Sequence, residues 1–201
     1  MKLLLQKKIL LIFLILGVSL GYSQGIETFS NVPTNSPTSY NTRNWIGDNG
    51  SDWEATNSRT SAATFNASGQ GIGLNDDTAN TYVESGTISG GVGEITLTVK
   101  KIFSGTGSGS VTVSINGSSV GTVPYDDSEA GITTTIPNIN ISGDFIIRID
   151  NNINGNSGGG DNRVAIDNIS WTSGTAPEEP IITNIVQTPA STMVTSSDNV
   201  S

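Results

Sequence analysis

The stretch DNNINGNSGGGD, residues 150–161, has oxygen-bearing side chains at the spacing of a calcium-binding loop. Asp150, Asn152 and Asn154 alternate, a glycine follows, and Asp161 stands where the usual pattern has glutamate. Such oxygens can wrap a divalent cation. Asn, Asp and Gly are also the ordinary residues of a long turn between strands. The sequence therefore leaves two interpretations open, a calcium loop and a simple turn.

The chain contains neither cysteine nor histidine. This excludes Ser-His-Asp and Cys-His triads, thiolate zinc sites and histidine general bases from the chain. Paired carboxylates could still hydrolyse glycosides across a cleft. The candidate acids lie in loops rich in Gly, Asn and Ser, where acids usually face water, and they are Asp48/Asp52/Glu54, Asp76/Asp77 and Asp126/Asp127/Glu129. We therefore predict that this chain has no catalytic site of its own.

Residues 1–23 have the pattern of a secretory signal peptide. Three lysines precede an apolar run at 9–20, and Gly21-Tyr22-Ser23 offers small residues at a cleavage position. The run is short of the ~20 residues that a spanning helix needs, which disfavours a membrane anchor. The sequence predicts a secreted or cell-surface protein with no membrane span after signal cleavage.

The predicted mature chain is strongly acidic. The signal peptide holds three of the nine basic residues and none of the eighteen acidic ones, so cleavage leaves a net charge of −12. Phosphate backbones repel such a surface, and Lys100-Lys101 is the largest basic run of the mature chain. We predict no direct binding of nucleic acid by this segment. The acidity does suit divalent cations.

Short segments of alternating apolar and polar residues follow one another along residues 24–173. The clearest are GEITLTVKKIF, SVTVSIN, GITTTIP, DFIIRID and RVAIDNISW, and weaker ones are IETFS, the segment around Trp45, DWEAT, GIGL and TYVES. Asn116-Gly117 predicts a tight hairpin. About ten short strands with polar turns predict an all-β fold, an antiparallel two-sheet β-sandwich of the jelly-roll kind.

The composition changes after Trp171. Residues 174–180 are rich in Pro and Glu and predict a linker. Residues 181–201 then predict the start of a truncated second β domain of the immunoglobulin-like kind, since IITNIVQTP has the pattern of one strand. A single strand cannot bury its own apolar face. We therefore expect the sequence to be the front part of a longer protein.

Four segments together resemble a known module, and they are ETFSN, NWIGDNGSDWEATN, KKIFSGTGSGSVTVSINGSSVGTV and VAIDNISWTS. They are similar to the N-terminal β-sandwich module of secreted multidomain Bacteroidetes proteins. Those proteins continue with immunoglobulin-like or fibronectin-like repeats, lamin-tail domains, a ββα-metal endonuclease domain or a C-terminal sorting signal. The resemblance implies a non-catalytic binding or spacer module of a larger extracellular protein. The alternative is the accessory N-terminus of a secreted hydrolase, such as an extracellular endonuclease, whose catalytic domain is absent from this chain.

The module also distantly resembles carbohydrate-binding jelly rolls. That resemblance implies a structural calcium ion between Glu27 on the first strand and Asp167 on the last. Asp167 lies in an otherwise apolar strand and needs a partner, which is either calcium or backbone amides. The implied partner of the module is a polysaccharide or a cell-surface glycan.

Aromatic residues are the second set of candidate ligand contacts. Trp45, Trp53 and Tyr82 could form a platform on which the CH faces of sugar rings stack, although buried tryptophans of a sandwich core have the same pattern. Trp53 and Trp171 alternate with polar residues and are predicted to lie in the core. Trp45 stands beside the loop GDNGSD. We therefore predict that Trp45 and Tyr82 are the sugar contacts.

Overall fold

The structure is a computed structural model that describes residues 25–65, 69–76, 80–103, 108–126, 128, 130–151 and 162–174. The predicted signal peptide, the linker from 175 onward and the second β domain lie outside the described residues. Three of the four predicted ligands of the loop at 150–161, Asn152, Asn154 and Asp161, lie outside them too.

The described residues form thirteen β-strands and no helix. The strands are β1 Gly25–Glu27, β2 Asn41–Ile46, β3 Asp52–Arg59, β4 Thr64–Phe65, β5 Gly69–Gln70, β6 Ile72–Leu74, β7 Tyr82–Ser85, β8 Ile95–Lys101, β9 Gly109–Ile115, β10 Ser118–Tyr125, β11 Ile132–Ile136, β12 Ile147–Asn151 and β13 Val164–Trp171. Each strand predicted from alternation is present, which confirms the all-β prediction.

All pairings of these strands are antiparallel, and the strands pack as two layers. One layer runs β10-β9-β12-β7-β3, with β2 beside β3, and the other runs β6-β13-β8-β11, with β1 beside β13. Strand β3 joins them, since residues 53–55 pair with β7 and residues 58–59 pair with β6. Between these parts Asn57 has a φ of 45°, which bends the strand from one layer into the other. The result is a nearly closed jelly-roll-like sandwich.

The core lies between the two layers and follows the alternation of the strands. In β8, for example, Ile95, Leu97 and Val99 are fully buried. Trp53 is 1% exposed and Trp171 is 4% exposed, which confirms that both are core residues. The side chains that alternate with these core residues lie on the opposite face of each strand, where some, such as those of Glu54 and Arg148, are partly exposed and others, such as that of Thr98, are buried.

The hairpin between β9 and β10 has the predicted two-residue turn. Ser118 pairs with Ile115, and the intervening Asn116 and Gly117 have φ values of 50° and 78°. Positive φ at both central residues is the type I′ geometry, whose twist matches that of the flanking strands. The structure thus confirms the tight hairpin that Asn116-Gly117 predicts.

Candidate functional site

Glu27, the last residue of β1, is a fully buried carboxylate. Its Oε1 accepts hydrogen bonds from the backbone N–H of Phe29 at 2.7 Å and from Nε1 of Trp45 at 3.2 Å. Its Oε2 accepts one from the backbone N–H of Asp48 at 3.0 Å. A Cβ at Gly47 would collide with Oε2, so glycine lets this loop approach the carboxylate. Three N–H groups thus meet one buried charge.

Glu27 and its neighbour Asp48 titrate in opposite directions. Burial raises the pKa of Glu27, against the lowering effect of its three hydrogen bonds. Asp48 is exposed, and the hydrogen bonds that it accepts from Thr28 and Ser30 outweigh its partial desolvation and lower its pKa. Asp48 is therefore the more easily ionised of the two carboxyls.

Asp167, the other predicted calcium ligand, is also fully buried. Asp167 pairs with Thr98, whereas Glu27 pairs with Ile169 of the main core. Positions 167 and 169 would share a face in a regular strand, but a register shift between Asp167 and Ser170, with Asn168 at a φ of 49°, interrupts the alternation. Because paired residues point to the same face, the two carboxylates therefore lie on opposite faces of β13. Strand β13 changes partner here, since residues 164–166 pair with β6 and residues 169–171 with β1. A calcium ion shared by both carboxylates therefore remains a prediction.

Of the predicted calcium loop, the structure describes only the first ligand, Asp150. Its carboxylate accepts hydrogen bonds from Arg148, at 2.9 Å from Nε to Oδ2 and at 2.7 Å from Nη2 to Oδ1. Both oxygens therefore already face a cation. A calcium ion bound by Asp150 would have to share this carboxylate with the guanidinium or displace it, and the loop site remains a prediction.

Polar and aromatic side chains meet on the outward face of β7 and β12. We call this surface the Tyr82 face, and its members are Tyr82, Glu84, Glu54, Arg148 and Asp150. The guanidinium carbon of Arg148 lies 3.6 Å from the centre of the Tyr82 ring, and Nη1 lies 3.3 Å from Oε2 of Glu84. The hydroxyl of Tyr82 donates to Oε1 of Glu54 at 2.9 Å. These contacts hold the five side chains in one connected network.

The strand register produces this network. Tyr82 pairs with Asp150, and Glu84 pairs with both Arg148 and Glu54. The residues that alternate with them are buried, so all five side chains point away from the core. Tyr82 was predicted from the sequence as a sugar contact, whereas Arg148 was not. The signal for Arg148 was its outward position, two residues from Asp150 in DFIIRID.

Trp45, the other predicted sugar contact, is 6% exposed. Its ring stacks on Trp53 with centroids 6.2 Å apart and packs against Phe29 at 5.8 Å. An open groove of about 500 Å³ borders the ring together with Asn44, Ile46, Asp52 and Trp53. Trp45 is therefore mostly covered by the core, whereas Tyr82 is half-buried and more accessible.

Several described carboxylates of the acidic groups already have partners within the protein. Asp76 forms an ion pair with Arg163 at 3.2 Å, Asp126 accepts the backbone N–H of Ser128, and Glu54 belongs to the Tyr82 face. Asp77, Asp127 and Glu129 lie outside the described residues. Within the described ranges no group of three or more His, Cys, Asp or Glu is placed to hold a metal ion.

A cluster that the sequence analysis missed lies at the end of the second layer. We call it the basic aromatic cluster, and it comprises Tyr40, Arg59, Phe103 and Arg163. Both guanidinium carbons lie within 5.6 Å of the centre of the Tyr40 ring and within 5.3 Å of that of Phe103. Because the four residues are far apart in the chain, no local motif could have indicated the cluster.

Comparisons with known proteins give similarities of structure only. No protein-family model matches the chain, and no curated protein matches it. Among the described residues, no helix is long and apolar enough to cross a membrane.

Several solved structures that resemble the chain are carbohydrate-binding modules. One is the CBM36-1 domain of a multidomain xylanase from the hindgut metagenome of Trinervitermes trinervoides, with 16% identity over 77% of this chain and 100% of that chain and a TM-score of 0.45. Another is a CBM35 from Paenibacillus barcinonensis, with 16% identity over 62% and 93% and a TM-score of 0.39. A third is a CBM36 in complex with calcium and xylotriose, with 18% identity over 55% and 86% and a TM-score of 0.38.

Proposed function

We propose that residues 25–174 form a non-catalytic, polysaccharide-binding module of an extracellular or cell-surface protein. The Tyr82 face is the observation on which this proposal rests. Sugars present hydroxyls that need donors and acceptors side by side, and apolar CH faces that pack on aromatic rings. Arg148 supplies planar donors, Glu54, Glu84 and Asp150 supply acceptors, and Tyr82 supplies a half-buried aromatic ring.

The Tyr82 face is also held in place before any ligand binds. Asp150 and Glu84 fix the guanidinium of Arg148, which stacks on Tyr82, and Glu54 fixes the phenol hydroxyl. Long side chains on a protein surface normally lose rotamer freedom when they bind. Here much of that rotamer freedom is already lost on folding, so a ligand that contacts the Tyr82 face would bind at a smaller entropic cost.

Affinity electrophoresis through gels that contain neutral polysaccharides tests this proposal. Tyr82→Ala should weaken retention about tenfold, since an aromatic contact contributes about 1.4 kcal/mol. Tyr82→Phe is the matched control, because it keeps the ring and removes only the hydrogen bond to Glu54. Equal retention of wild type and a folded Tyr82→Ala variant would contradict the proposal. A growth of reducing ends during incubation would contradict its non-catalytic part.

A structural calcium ion at Glu27 and Asp167 is a further part of the proposal. Both carboxylates are fully buried, and none of the ion pairs among the described residues includes Glu27. Carboxylate oxygens are the ligands that calcium prefers, and Oε2 of Glu27 accepts one hydrogen bond, which leaves it a lone pair. Bound calcium would neutralise buried negative charge.

Thermal unfolding in calcium and then in chelator tests the ion. Calcium at about a hundred times its Kd should stabilise the fold by about 2.7 kcal/mol, and Glu27→Gln and Asp167→Asn should each abolish this gain. Asp48→Asn is the control, because Asp48 is exposed and hydrogen-bonded to Thr28. An equal Tm of wild type in calcium and in chelator would contradict the proposed calcium ion and would not affect the proposal of polysaccharide binding.

Export and a place in a larger protein complete the proposal. If the full protein is a spacer, this module attaches it to a glycan, and if it is a secreted hydrolase, the module brings the enzyme to its substrate. The N-terminal residue of the protein recovered from culture medium tests export. Recovery of the chain only inside cells, with residues 1–23 retained, would contradict it.

A further inference from the structure

Cations gather at one end of the second layer. After residue 23 the chain has six arginines and lysines, and four of them are Arg59, Lys100, Lys101 and Arg163. The register brings two of them, Arg59 and Lys100, into one row. Arg59 pairs with Gly73, Gly73 pairs with Ala165, and Ala165 pairs with Lys100, which makes one row across four strands. An otherwise acidic chain thus has a local basic region.

Two of these cations enclose a pair of aromatic rings in the basic aromatic cluster. The guanidinium carbon of Arg59 lies 4.7 Å from the Phe103 ring centre and 5.2 Å from that of Tyr40. The guanidinium carbon of Arg163 lies 5.3 Å and 5.6 Å from the same centres. Cation–π contact is favourable for each arginine, but two like charges on the same rings repel each other.

Nearby anions offset only part of this charge. Nε of Arg163 lies 3.2 Å from Oδ1 of Asp76. Arg59 donates from Nε to the carbonyl and hydroxyl oxygens of Ser61, which are neutral. Among the residues that the structure describes, one carboxylate, that of Asp76, forms an ion pair with one of these two guanidinium groups. An anionic ligand would relieve the remaining repulsion.

Phe103 is exposed and has an unusual backbone conformation. Its side chain is 38% exposed and its φ is 68°. A bulky residue at positive φ is strained, and such strain is often retained at functional sites. An exposed phenylalanine held between two guanidinium groups offers an apolar surface next to anion-binding groups.

We infer that the basic aromatic cluster is a second binding site, for an anionic polysaccharide whose rings carry carboxylate or sulfate groups. The guanidinium forks of Arg59 and Arg163 match the oxygens of such groups, and the CH face of the sugar packs on Phe103. This inference rests on the proposed polysaccharide binding and adds charge selectivity to it.

The acidity of the whole chain argues for a glycan over a nucleic acid. Single-stranded nucleic acid also combines negative charge with stacking groups, but it has a charge on every nucleotide. A net charge of −12 on the predicted mature chain repels such a dense polyanion. Charges beyond about 8 Å are screened at physiological salt, so a ligand with more widely spaced anions responds mainly to the local cluster.

The test compares three polysaccharides by affinity electrophoresis with the full chain. The probes are polygalacturonate, dextran sulfate and a neutral glycan that the protein retains. Arg59→Gln and Arg163→Gln should each weaken retention by the anionic probe about tenfold and leave the neutral one unchanged. Arg148→Gln is the matched comparison, since it removes the same charge from the Tyr82 face and should therefore weaken retention by the neutral glycan while leaving retention by the anionic probe unchanged. Phe103→Ala keeps both arginines, and it should also weaken retention of the protein by the anionic probe.

The outcomes separate this inference from the proposed function. Selective loss of carboxylate or sulfate binding in the two glutamine variants supports the inference and identifies which anion is preferred. If Arg59→Gln and Arg163→Gln leave the ratio of anionic to neutral retention unchanged, the inference alone is overturned. An equal loss of anionic retention in Arg148→Gln overturns it as well. Tighter binding of a thymidine oligonucleotide than of either anionic glycan also overturns it. Absence of retention by any glycan would overturn the proposed function as well.

Discussion

Arg43 is a buried cation whose partners are backbone carbonyls of one loop. It is 4% exposed. Its Nη1 donates to the carbonyl oxygens of Pro33 at 2.8 Å and Asn35 at 3.0 Å, and its Nη2 donates to those of Ser36 at 3.1 Å and Ser39 at 3.3 Å. The planar fork of arginine suits this arrangement. We expect Arg43 to fix the loop at 33–39 against the sandwich.

The magnitude of its contribution follows from these four hydrogen bonds. A hydrogen bond contributes about 1 kcal/mol net, and more with a charged donor. The loop is exposed, so water can rehydrate the carbonyls, which favours the low end of the range. Arg43→Met should therefore lower the free energy of unfolding by about 3–4 kcal/mol. For a domain of this size that lowers the Tm by roughly 6–16 °C.

Urea unfolding of the full chain checks this value. Arg148→Met is the matched control, because Arg148 is partly exposed and its surface ion pairs should contribute at most about 1 kcal/mol. Arg43→Lys should fall between wild type and Arg43→Met, since one ammonium cannot reproduce the fork. A loss below about 1 kcal/mol in Arg43→Met would refute the assigned role of the four hydrogen bonds.

Two predictions concern pH. The pKa of Glu27 is raised above the usual 4.5 by burial, so the folded protein binds this proton more tightly than the unfolded chain. In chelator, the free energy of unfolding of wild type, measured relative to that of Glu27→Gln, should therefore fall as the pH rises from 4.5 through the pKa of Glu27 in the folded protein. Urea titrations at several pH values measure this difference, and a rise with pH would contradict the prediction. Burial also raises the pKa of Tyr125 to about 12, while its hydroxyl donates to the carbonyl of Asn162 at 2.9 Å. Wild type should therefore lose stability between pH 10 and 12 relative to Tyr125→Phe, and parallel alkaline unfolding curves for the two proteins would show that Tyr125 is not responsible.

The fold was predictable because its signals are local. Alternation in β8, β9 and β12 is visible within each segment, and Asn116-Gly117 specifies its turn through the φ values that the two residues tolerate. The hairpin β4–β5 was not predicted. Its strands have two residues each, which is too few to show a period.

The candidate site was only partly predictable, because its contacts join distant parts of the chain. That Asp167 would need a partner followed from its place in an apolar strand, whereas Glu27 was implied only by the resemblance to carbohydrate-binding jelly rolls. The N–H groups of Trp45 and Asp48 that contact Glu27 come from 18 and 21 residues away. The stacking of Arg148 on Tyr82 depends on the β7–β12 register. Registers between strands far apart in sequence are set by the packing of the whole sandwich, which no local pattern specifies.

The few cations of this acidic chain differ in how completely their charge is offset, and this difference separates the two proposed sites. Arg148 lies between two carboxylates, Glu84 and Asp150, so the Tyr82 face is negative overall and suits neutral sugars. In the described part of the chain, the ion pair that Arg59 and Arg163 make with a carboxylate is the one between Arg163 and Asp76. A polyanion would meet repulsion at the first surface and attraction at the second. A polysaccharide that mixes neutral and acidic residues would satisfy both sites along one chain, with an avidity that neither site provides alone.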